Sequence, residues 1–309
     1  MSASLALPMS AHELRDAVRC VRAFDPARLD RILRADVDRG LLEVQAGVTW
    51  ASLAAHAGAP FLAAWPDGAS TVGRSAAENV PGPDGHPVVK HIEAMTLVTA
   101  DGELRRVSRD ASPELFRLCV GGHGVFGPAY SITLRLASLE AALAGAKGSV
   151  ALSLPGQQDG SPIALLLPPS EVERFLGQAR DCLREWRVEI AGAEASHVLP
   201  EAETFLRWAN REYALVSLRL GAASSLCGAV RSTQVRRLLI DLAIACGGSF
   251  SIASTPDATR AQVETCYPMM GAFLAEKRRL DPAGRLSNAW YRHYRGLVSR
   301  GSCAVRWSA

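Results

Sequence analysis

One short glycine-rich segment constrains the fold more than any other part of the chain. It is Gly122-His123-Gly124-Val125-Phe126-Gly127, which matches the pattern G-x-G-x-x-G. This pattern binds a dinucleotide when a strand precedes it and a helix follows it, because the helix N-terminus then meets the pyrophosphate. Here Ser112-Pro113-Glu114 predicts a helix before the glycines, and Tyr130–Leu136 predicts a strand after them. The order excludes a Rossmann site and indicates a tight helix-to-strand turn.

Composition sets the broad class of the protein. With 309 residues, 48% of them hydrophobic and 21% charged, the chain can bury a full core. We expect two domains, or one domain with a large insertion. The net charge of +3 gives no electrostatic reason to expect nucleic acid or a membrane surface as a partner. We expect a cytoplasmic protein that acts on a small molecule, and we leave open a homo- or hetero-oligomer.

The cysteines and histidines bear on metal and disulfide chemistry. The seven cysteines are scattered and never spaced as C-x-x-C, so a disulfide framework and a structural zinc site are both disfavoured. His86 and His91 are five residues apart, but no third ligand is nearby in the sequence. We therefore predict no metal site.

Before residue 137 the sequence predicts alternating helices and strands. Ser10, with Glu13 three residues later, forms a capping box that begins a helix. A second, short helix is expected at Pro26, with Ile32 and Leu33 in its apolar stripe. The remaining elements are a strand at Leu41–Val48, a helix at Thr49–His56 ended by Gly58, and a hairpin of strands His91–Thr99 and Glu103–Ser108.

The Ala-rich segment Ala137–Gly148 is interpreted as a domain boundary. Beyond it, strands are predicted at Val150–Leu154, Ile163–Leu167, Tyr213–Leu220 and Ser249–Ala253, and helices at Ser170–Trp186, Thr233–Cys246 and Ala261–Lys277. Pro268 interrupts the last helix. This alternation predicts an α+β domain in which helices cover an antiparallel sheet.

Several short motifs follow one another in a fixed order along the chain. They are Thr71-Val72-Gly73, Asn79, Gly82, the hairpin Val98–Glu103, Glu114-Leu115-Phe116 and the glycine turn Gly121–Gly127. Together they closely resemble the FAD-binding domain of the vanillyl-alcohol oxidase family, also described as the p-cresol methylhydroxylase (PCMH) type. Leu41–Leu53 is similar to the V-x-x-G strand and helix of that family, and Ala275–Leu286 is similar to its C-terminal D-P-x-G segment.

The resemblance implies an α+β fold in three parts. A PCMH-type FAD-binding domain would span residues 1–137, a cap or substrate domain built on an antiparallel sheet would span 138–270, and 271–309 would return to the FAD domain. It also implies non-covalent FAD in an FAD-linked oxidase, with hydride transfer from an alcohol or hydroxy acid to the flavin. The residues that the resemblance assigns to cofactor binding are Thr71, Val72, Gly73, Ser75, Asn79, Gly82, Gly122, Gly124, Gly127 and Ala129.

The chain also departs from the family pattern. Arg22-Ala23 runs directly into Phe24-Asp25-Pro26, where the family carries a glycine-rich loop that cradles the pyrophosphate. Arg74 stands where the family has the second glycine of T-V-G-G. Each backbone N–H lost from a pyrophosphate forfeits roughly 1.5–3 kcal/mol. A second hypothesis therefore stays open, in which the chain is a degenerate, non-catalytic relative that binds FAD weakly or not at all and acts as a partner or binding subunit.

The sequence identifies no clear general base. Arg219 is a candidate for binding a substrate carboxylate, although a surface ion pair is the commoner outcome for such a residue. His293, close to two aromatic residues in the sequence, is a candidate for the flavin pocket. Ser251 and Ser254 stand where relatives place an aromatic and a basic residue over the flavin, and neither has a nearby histidine partner. The catalytic residues are left unassigned, with Arg219 and His293 as candidates.

Overall fold

A computed structural model describes residues 5–21, 23–56, 70–144, 150–152, 162–221 and 226–299. Within these ranges helices and antiparallel strands are mixed, which confirms the predicted α+β class. The chain divides into two compact units. Unit 1 comprises Met1–Gly148, Val198–Arg211 and Ala275–Ser287, and unit 2 comprises Ser149–His197, Glu212–Leu274 and Asn288–Ala309. The predicted helix end at Gly58 lies outside the described residues.

Unit 1 contains a five-stranded antiparallel sheet in the order β1-β2-β5-β3-β4. Its strands are β1 Ile32–Asp36, β2 Leu41–Gln45, β3 Ile92–Val98, β4 Leu104–Ser108 and β5 Ala129–Arg135. A row of buried side chains crosses one face, since Val44 pairs with Ile132, which pairs with Met95. The other face carries polar pairs, such as the Ser131 hydroxyl donating to Glu43 Oε1 at 2.6 Å. One apolar and one polar face is the usual pattern of an antiparallel sheet.

The helices described in unit 1 pack around this sheet. They are α1 Ala11–Arg19, α2 Trp50–His56, α3 Val72–Glu78, α4 Pro113–Cys119 and α5 Leu136–Ala144. α3 packs against β5, and α4 packs against β4. Ser10 caps α1 as predicted, since its hydroxyl accepts the Glu13 N–H at 3.2 Å. The Glu13 carboxylate accepts the N–H of Met9 at 2.9 Å, so the capping box closes one residue earlier than expected.

One prediction in this region is corrected by the structure. The expected helix after Pro26 is only one 3-10 turn, Pro26–Arg28, and Ile32 and Leu33 belong to the edge strand β1. Helix α3, after residue 71, was not predicted from the sequence. The Ala-rich segment interpreted as a boundary contains α5, which continues directly from β5, and the first stretch of unit 1 runs to Gly148 at the end of that segment.

Unit 2 contains a second five-stranded sheet in the order β10-β7-β9-β8-β6. Its strands are β6 Val150–Leu152, β7 Pro162–Leu167, β8 Ile190–Val198, β9 Tyr213–Leu220 and β10 Ser249–Phe250. The pairs β7–β9, β7–β10 and β6–β8 are antiparallel. β8 was not predicted from the sequence, because only Ala193 and Val198 in it are buried and its apolar alternation is weak.

The remaining helices lie in the second half of the chain. They are α6 Val172–Glu185, α7 Leu226–Ala245, α8 Arg260–Cys266, α9 Met270–Leu280 and α10 Ala289–Ser299. α6 packs against α7, and α7 packs against β7 and β10. Pro268 separates α8 from α9, as predicted. Among the described helices, none combines the length and apolar character needed to span a membrane.

Candidate functional site

Helix α3 is capped at its N-terminus by Thr71. The Thr71 backbone is extended, and its hydroxyl accepts the N–H of Arg74 at 3.1 Å. The Arg74 side chain lies 70% exposed and pairs with Glu78, one turn further along, at 3.0 Å. The predicted motif Thr71-Val72-Gly73 is therefore a helix start, which the hydroxyl of its first residue stabilises.

The other N–H groups in the first turn of α3 also have protein acceptors. The Val72 N–H donates to the carbonyl of Val48 at 2.8 Å, and the Gly73 N–H donates to the carbonyl of Ala46 at 2.9 Å. The Ser75 N–H donates to the carbonyl of Thr71 at 3.0 Å. Helix N-termini bind anions through unsatisfied N–H groups. The first turn of α3 offers none to a ligand.

Asn79 ends α3 in a left-handed conformation, with φ of 50°. It is fully buried, and its side-chain Oδ1 accepts the N–H of Val89 at 3.0 Å. Its Nδ2 has no hydrogen-bond partner among the described residues. A buried donor without an acceptor costs about 1–3 kcal/mol. Asn79 is therefore a candidate to bind an acceptor group on a ligand.

The glycine turn is bonded directly to α3. The Gly121 N–H donates to the carbonyl of Ala76, and the His123 N–H donates to the carbonyl of Ala77, both at 2.9 Å. A Cβ on Gly121 would stand 3.2 Å from the Cβ of Asn79. The structure thus brings together the two glycine-containing motifs that the sequence singled out.

The glycines of the turn have different roles. A Cβ on Gly122 would stand 2.0 Å from the Leu118 carbonyl oxygen, and one on Gly127 would stand 2.6 Å from the Val98 carbonyl oxygen. Both are buried and are required by close packing of the protein backbone. Gly124 is different, because its φ is +70° and nothing lies within 4 Å of a Cβ built there. Among the residues that the structure describes, its N–H has no protein acceptor.

His123 lies between these glycines with a left-handed φ of 53°. Burial lowers the pKa of the His123 imidazole to about 3. The ring is therefore neutral near neutral pH and adds no positive charge that could attract a phosphate.

Three further residues were predicted to bind the cofactor. Ser75 is buried, and its hydroxyl accepts the indole N–H of Trp50 at 2.9 Å. Gly82 lies in the loop after α3, where its N–H donates to the carbonyl of His86 at 2.7 Å. Ala129 is the first residue of β5 and is half-buried. Ser75 and Gly82 thus already form bonds within the protein, and the cofactor roles of all three residues stay predictions.

The catalytic candidates lie in unit 2. Arg219, on β9, is 39% exposed on its side chain and lies 3.6 Å from Glu194 on β8. His293, on α10, is exposed, and its ring meets the Tyr294 ring edge-on at 4.8 Å. Ser254 has a buried hydroxyl without a partner among the described residues. The roles of Arg219 and His293 as catalytic candidates therefore stay predictions.

Trp208 contacts the site but was missed by the sequence analysis. Its indole N–H donates to the carbonyl of Asn79 at 3.2 Å, although the two residues are 129 positions apart. No local pattern around Trp208 could have identified this contact, because the partner lies in a distant part of the sequence.

Part of the chain is similar to one known protein family. Residues 23–108 match the family described as FAD binding domain. The match spans β1 to β4 and includes α3 and Asn79, whereas the glycine turn lies beyond it. No curated protein matches the chain. The matched domain indicates FAD as the cofactor.

The described residues fit this cofactor at one part of the site. The Gly124 N–H has no acceptor among the described residues, Asn79 Nδ2 lacks an acceptor as well, and the Thr71 hydroxyl retains a proton to donate. The first turn of α3 contributes no further donor. The glycine turn and Asn79 are therefore suited to bind the cofactor, and α3 supports them.

Proposed function

We propose that this relative of the FAD-linked oxidases is a flavin-dependent oxidoreductase that removes a hydride from the carbon of an alcohol or hydroxy acid. The observation that carries the proposal is the match of residues 23–108 to the FAD-binding domain family. When bound, FAD supplies the hydride-accepting chemistry, and the protein supplies orientation and electrostatics. We also propose a small-molecule substrate and a cytoplasmic location, on the basis of the composition.

We assign the cofactor-binding roles to three residues of unit 1. The Gly124 N–H would donate to the diphosphate, because it has no acceptor among the described residues and a Cβ on Gly124 would meet nothing within 4 Å. The Thr71 hydroxyl would donate to the same group. Asn79 Nδ2 would donate to a carbonyl or hydroxyl of the cofactor, which would satisfy a donor that is otherwise unpaired.

Two candidates remain for the substrate side. Arg219 has guanidinium donors that can bind a carboxylate, if the ion pair with Glu194 exchanges for substrate. His293 has an exposed side chain. We propose Arg219 for substrate binding and His293 for the flavin pocket.

The proposal is tested by loading the purified full chain with FAD and removing the excess by desalting. We expect a yellow protein whose flavin absorbance is bleached anaerobically by a member of a panel of alcohols and 2-hydroxy acids. A loaded protein that no panel member reduces would contradict the proposed reaction. A protein that leaves the absorbance and fluorescence of added FAD unchanged would contradict FAD binding as well.

A second function is favoured by two observations. All four N–H groups of the first turn of α3 are bonded within the protein, and the sequence lacks the family's glycine-rich pyrophosphate loop. The alternative is a non-catalytic relative that binds FAD weakly or not at all and acts as a partner or binding subunit. Loss of FAD on desalting, together with FAD binding only in the millimolar range, would support this alternative.

A further inference from the structure

The segment Val198–Arg211, named here the strap, is a part of unit 1 that begins at the last residue of β8 and continues as a loop. The Glu201 N–H donates to the carbonyl of Ala209 at 2.8 Å and closes the loop. The Glu201 carboxylate accepts the backbone N–H groups of Glu203 and Thr204 at 2.7 and 2.9 Å, and it also accepts the Thr204 hydroxyl. Thr204 and Ala209 are fully buried. Compact loops of this kind, closed and packed by their own side chains, are frequently functional.

The strap is bonded to the helix that leads into the glycine turn. The Phe205 N–H donates to the carbonyl of Arg117 at 2.8 Å, and Arg117 Nε donates to the carbonyl of Glu203 at 3.0 Å. Arg117 lies in α4, which ends two residues before Gly121. A Cβ on Gly121 would stand 4.0 Å from the Thr204 side chain, within van der Waals contact.

A second connection runs from the strap to Asn79 through Arg109. Arg109 Nε pairs with Glu203 Oε2 at 2.5 Å, and Arg109 Nη2 donates to the carbonyl of Val89 at 2.8 Å. The Val89 N–H is the donor to Asn79 Oδ1. Arg109 therefore joins the strap to the residue that holds the Asn79 side chain.

Trp208 holds the backbone of Asn79. Its indole N–H donates to the Asn79 carbonyl, while Val89 holds Oδ1. Because Oδ1 is engaged, the amide cannot rotate to give Nδ2 a protein acceptor without breaking the bond to Val89. The direction of Nδ2 is thus set by contacts from the strap and from Val89.

We infer that the strap is part of the cofactor-binding unit, with Trp208 as a positioning residue that holds Asn79 for the flavin cofactor. The inference rests on the proposed FAD binding and extends it to a segment that the sequence-based boundaries assign to the cap domain. Trp208 acts through the Asn79 carbonyl and does not itself touch the reacting atoms. Its removal leaves the donors of the glycine turn in place and loosens Asn79.

The test is the dissociation constant of FAD, measured by quenching of flavin fluorescence on the full chain. Trp208→Phe keeps an aromatic ring and loses only the N–H. We expect it to weaken FAD binding roughly three- to tenfold, the effect of one hydrogen bond. Glu203→Gln, which weakens the connection through Arg109, is expected to act in the same direction. Trp186→Phe, at the end of α6 in unit 2, is the control and is expected to leave the constant unchanged.

A double variant of Trp208 and Asn79 distinguishes a positioning role of Trp208 from a purely structural one. Asn79→Asp keeps the oxygen that Val89 contacts and removes the Nδ2 donor. If Trp208 acts by positioning Nδ2, then adding Trp208→Phe to Asn79→Asp weakens FAD binding by less than twofold more. Each dissociation constant is measured at a temperature well below the thermal unfolding midpoint of that apo variant. The fold of every variant is then intact during the binding measurement.

The outcomes distinguish this inference from the proposed function. Tight FAD binding that is unchanged in Trp208→Phe and Glu203→Gln would overturn the positioning role and leave the function standing. Fully additive effects of Trp208→Phe and Asn79→Asp would overturn it as well. Failure of the unmodified protein to bind FAD would overturn both.

Discussion

Gly73 packs against Ala46 so closely that a Cβ on Gly73 would stand 2.6 Å from the Ala46 carbonyl oxygen. The Gly73 N–H donates to that same oxygen at 2.9 Å. The glycine therefore serves the contact between α3 and the end of β2, and no ligand is needed to explain it. This relationship assigns the first turn of α3 a supporting role and leaves ligand contact to the glycine turn, Asn79 and the Thr71 hydroxyl.

Replacement of Gly73 is expected to destabilise the fold. In Gly73→Ala the new methyl group overlaps backbone atoms that cannot move independently, so we expect a loss of about 1–3 kcal/mol in the free energy of unfolding. Gly177→Ala in α6 is the control, because nothing lies within 4 Å of a Cβ there. It is expected to stabilise the protein by about 0.5–1 kcal/mol. Urea unfolding of both variants checks the prediction, and equal stabilities would contradict it.

The buried ion pair of Lys277 and Asp281 is expected to stabilise the C-terminal end of α9. Their charged atoms lie 2.5 Å apart, and the Asp281 carboxylate also accepts the N–H groups of Arg285 and Leu286. Lys277→Met would leave a buried carboxylate without its counter-ion, so we expect a loss of about 3–5 kcal/mol in the free energy of unfolding. Urea unfolding at neutral pH measures this loss. A loss below 1 kcal/mol would contradict it.

The Lys277–Asp281 pair also predicts that the free energy of unfolding depends on pH in the acid range. Burial would raise the pKa of Asp281, but the bonds from Lys277, Leu286 and Arg285 outweigh it and hold this pKa below 3.8. A lowered carboxyl pKa contributes stability that is present above the unfolded-state value and is lost as pH falls through the folded-state value. We therefore expect this contribution to disappear below about pH 4. Lys277→Met should shift the acid-unfolding midpoint to higher pH, and an unchanged midpoint would contradict the assignment.

His123 is expected to make the apo protein sensitive to mild acid. Burial lowers its pKa from 6.5 to about 3, so the unfolded chain binds a proton more readily than the folded one. Stability is therefore unaffected above pH 6.5 and falls as pH drops from 6.5 toward 3. His123→Asn tolerates the left-handed backbone and removes the titrating group. Urea midpoints of the two proteins should agree at pH 8 and diverge below pH 6, whereas parallel curves would contradict the prediction.

Much of the fold was predictable because it depends on local patterns. The helix before the glycine turn, the β3–β4 hairpin and the break at Pro268 all follow from residues that are adjacent in the sequence. The α+β class follows from them. β1 was mistaken for a helix because Ile32 and Leu33 are apolar neighbours, and the strand is an edge whose residues are mostly exposed. Such a strand has little alternation to detect.

The site was predictable as a set of motifs but not as a set of contacts. The sequence identified Asn79 and the glycine turn, but it could not show that Ala76 and Ala77 accept the N–H groups of the turn. α3 was missed because it is short and contains Gly73, which disfavours a helix. The strap was missed because its bonds to Asn79, Arg109 and Arg117 join residues 86 or more positions apart. Long-range pairs of this kind leave no local pattern.

The most direct test of the account is the dissociation constant of FAD in two matched variants of Gly124. Asn and Asp both tolerate a left-handed φ and have nearly the same shape, so Gly124→Asn and Gly124→Asp differ mainly in charge. A carboxylate beside the diphosphate would repel it, and we expect Gly124→Asp to bind FAD at least about tenfold more weakly than Gly124→Asn. Gly40→Asp is the control, because Gly40 also has a left-handed φ with nothing within 4 Å of a Cβ. Weak binding confined to Gly124→Asp is the predicted result, and FAD binding by Gly124→Asp as tight as that of the unmodified protein would contradict the account.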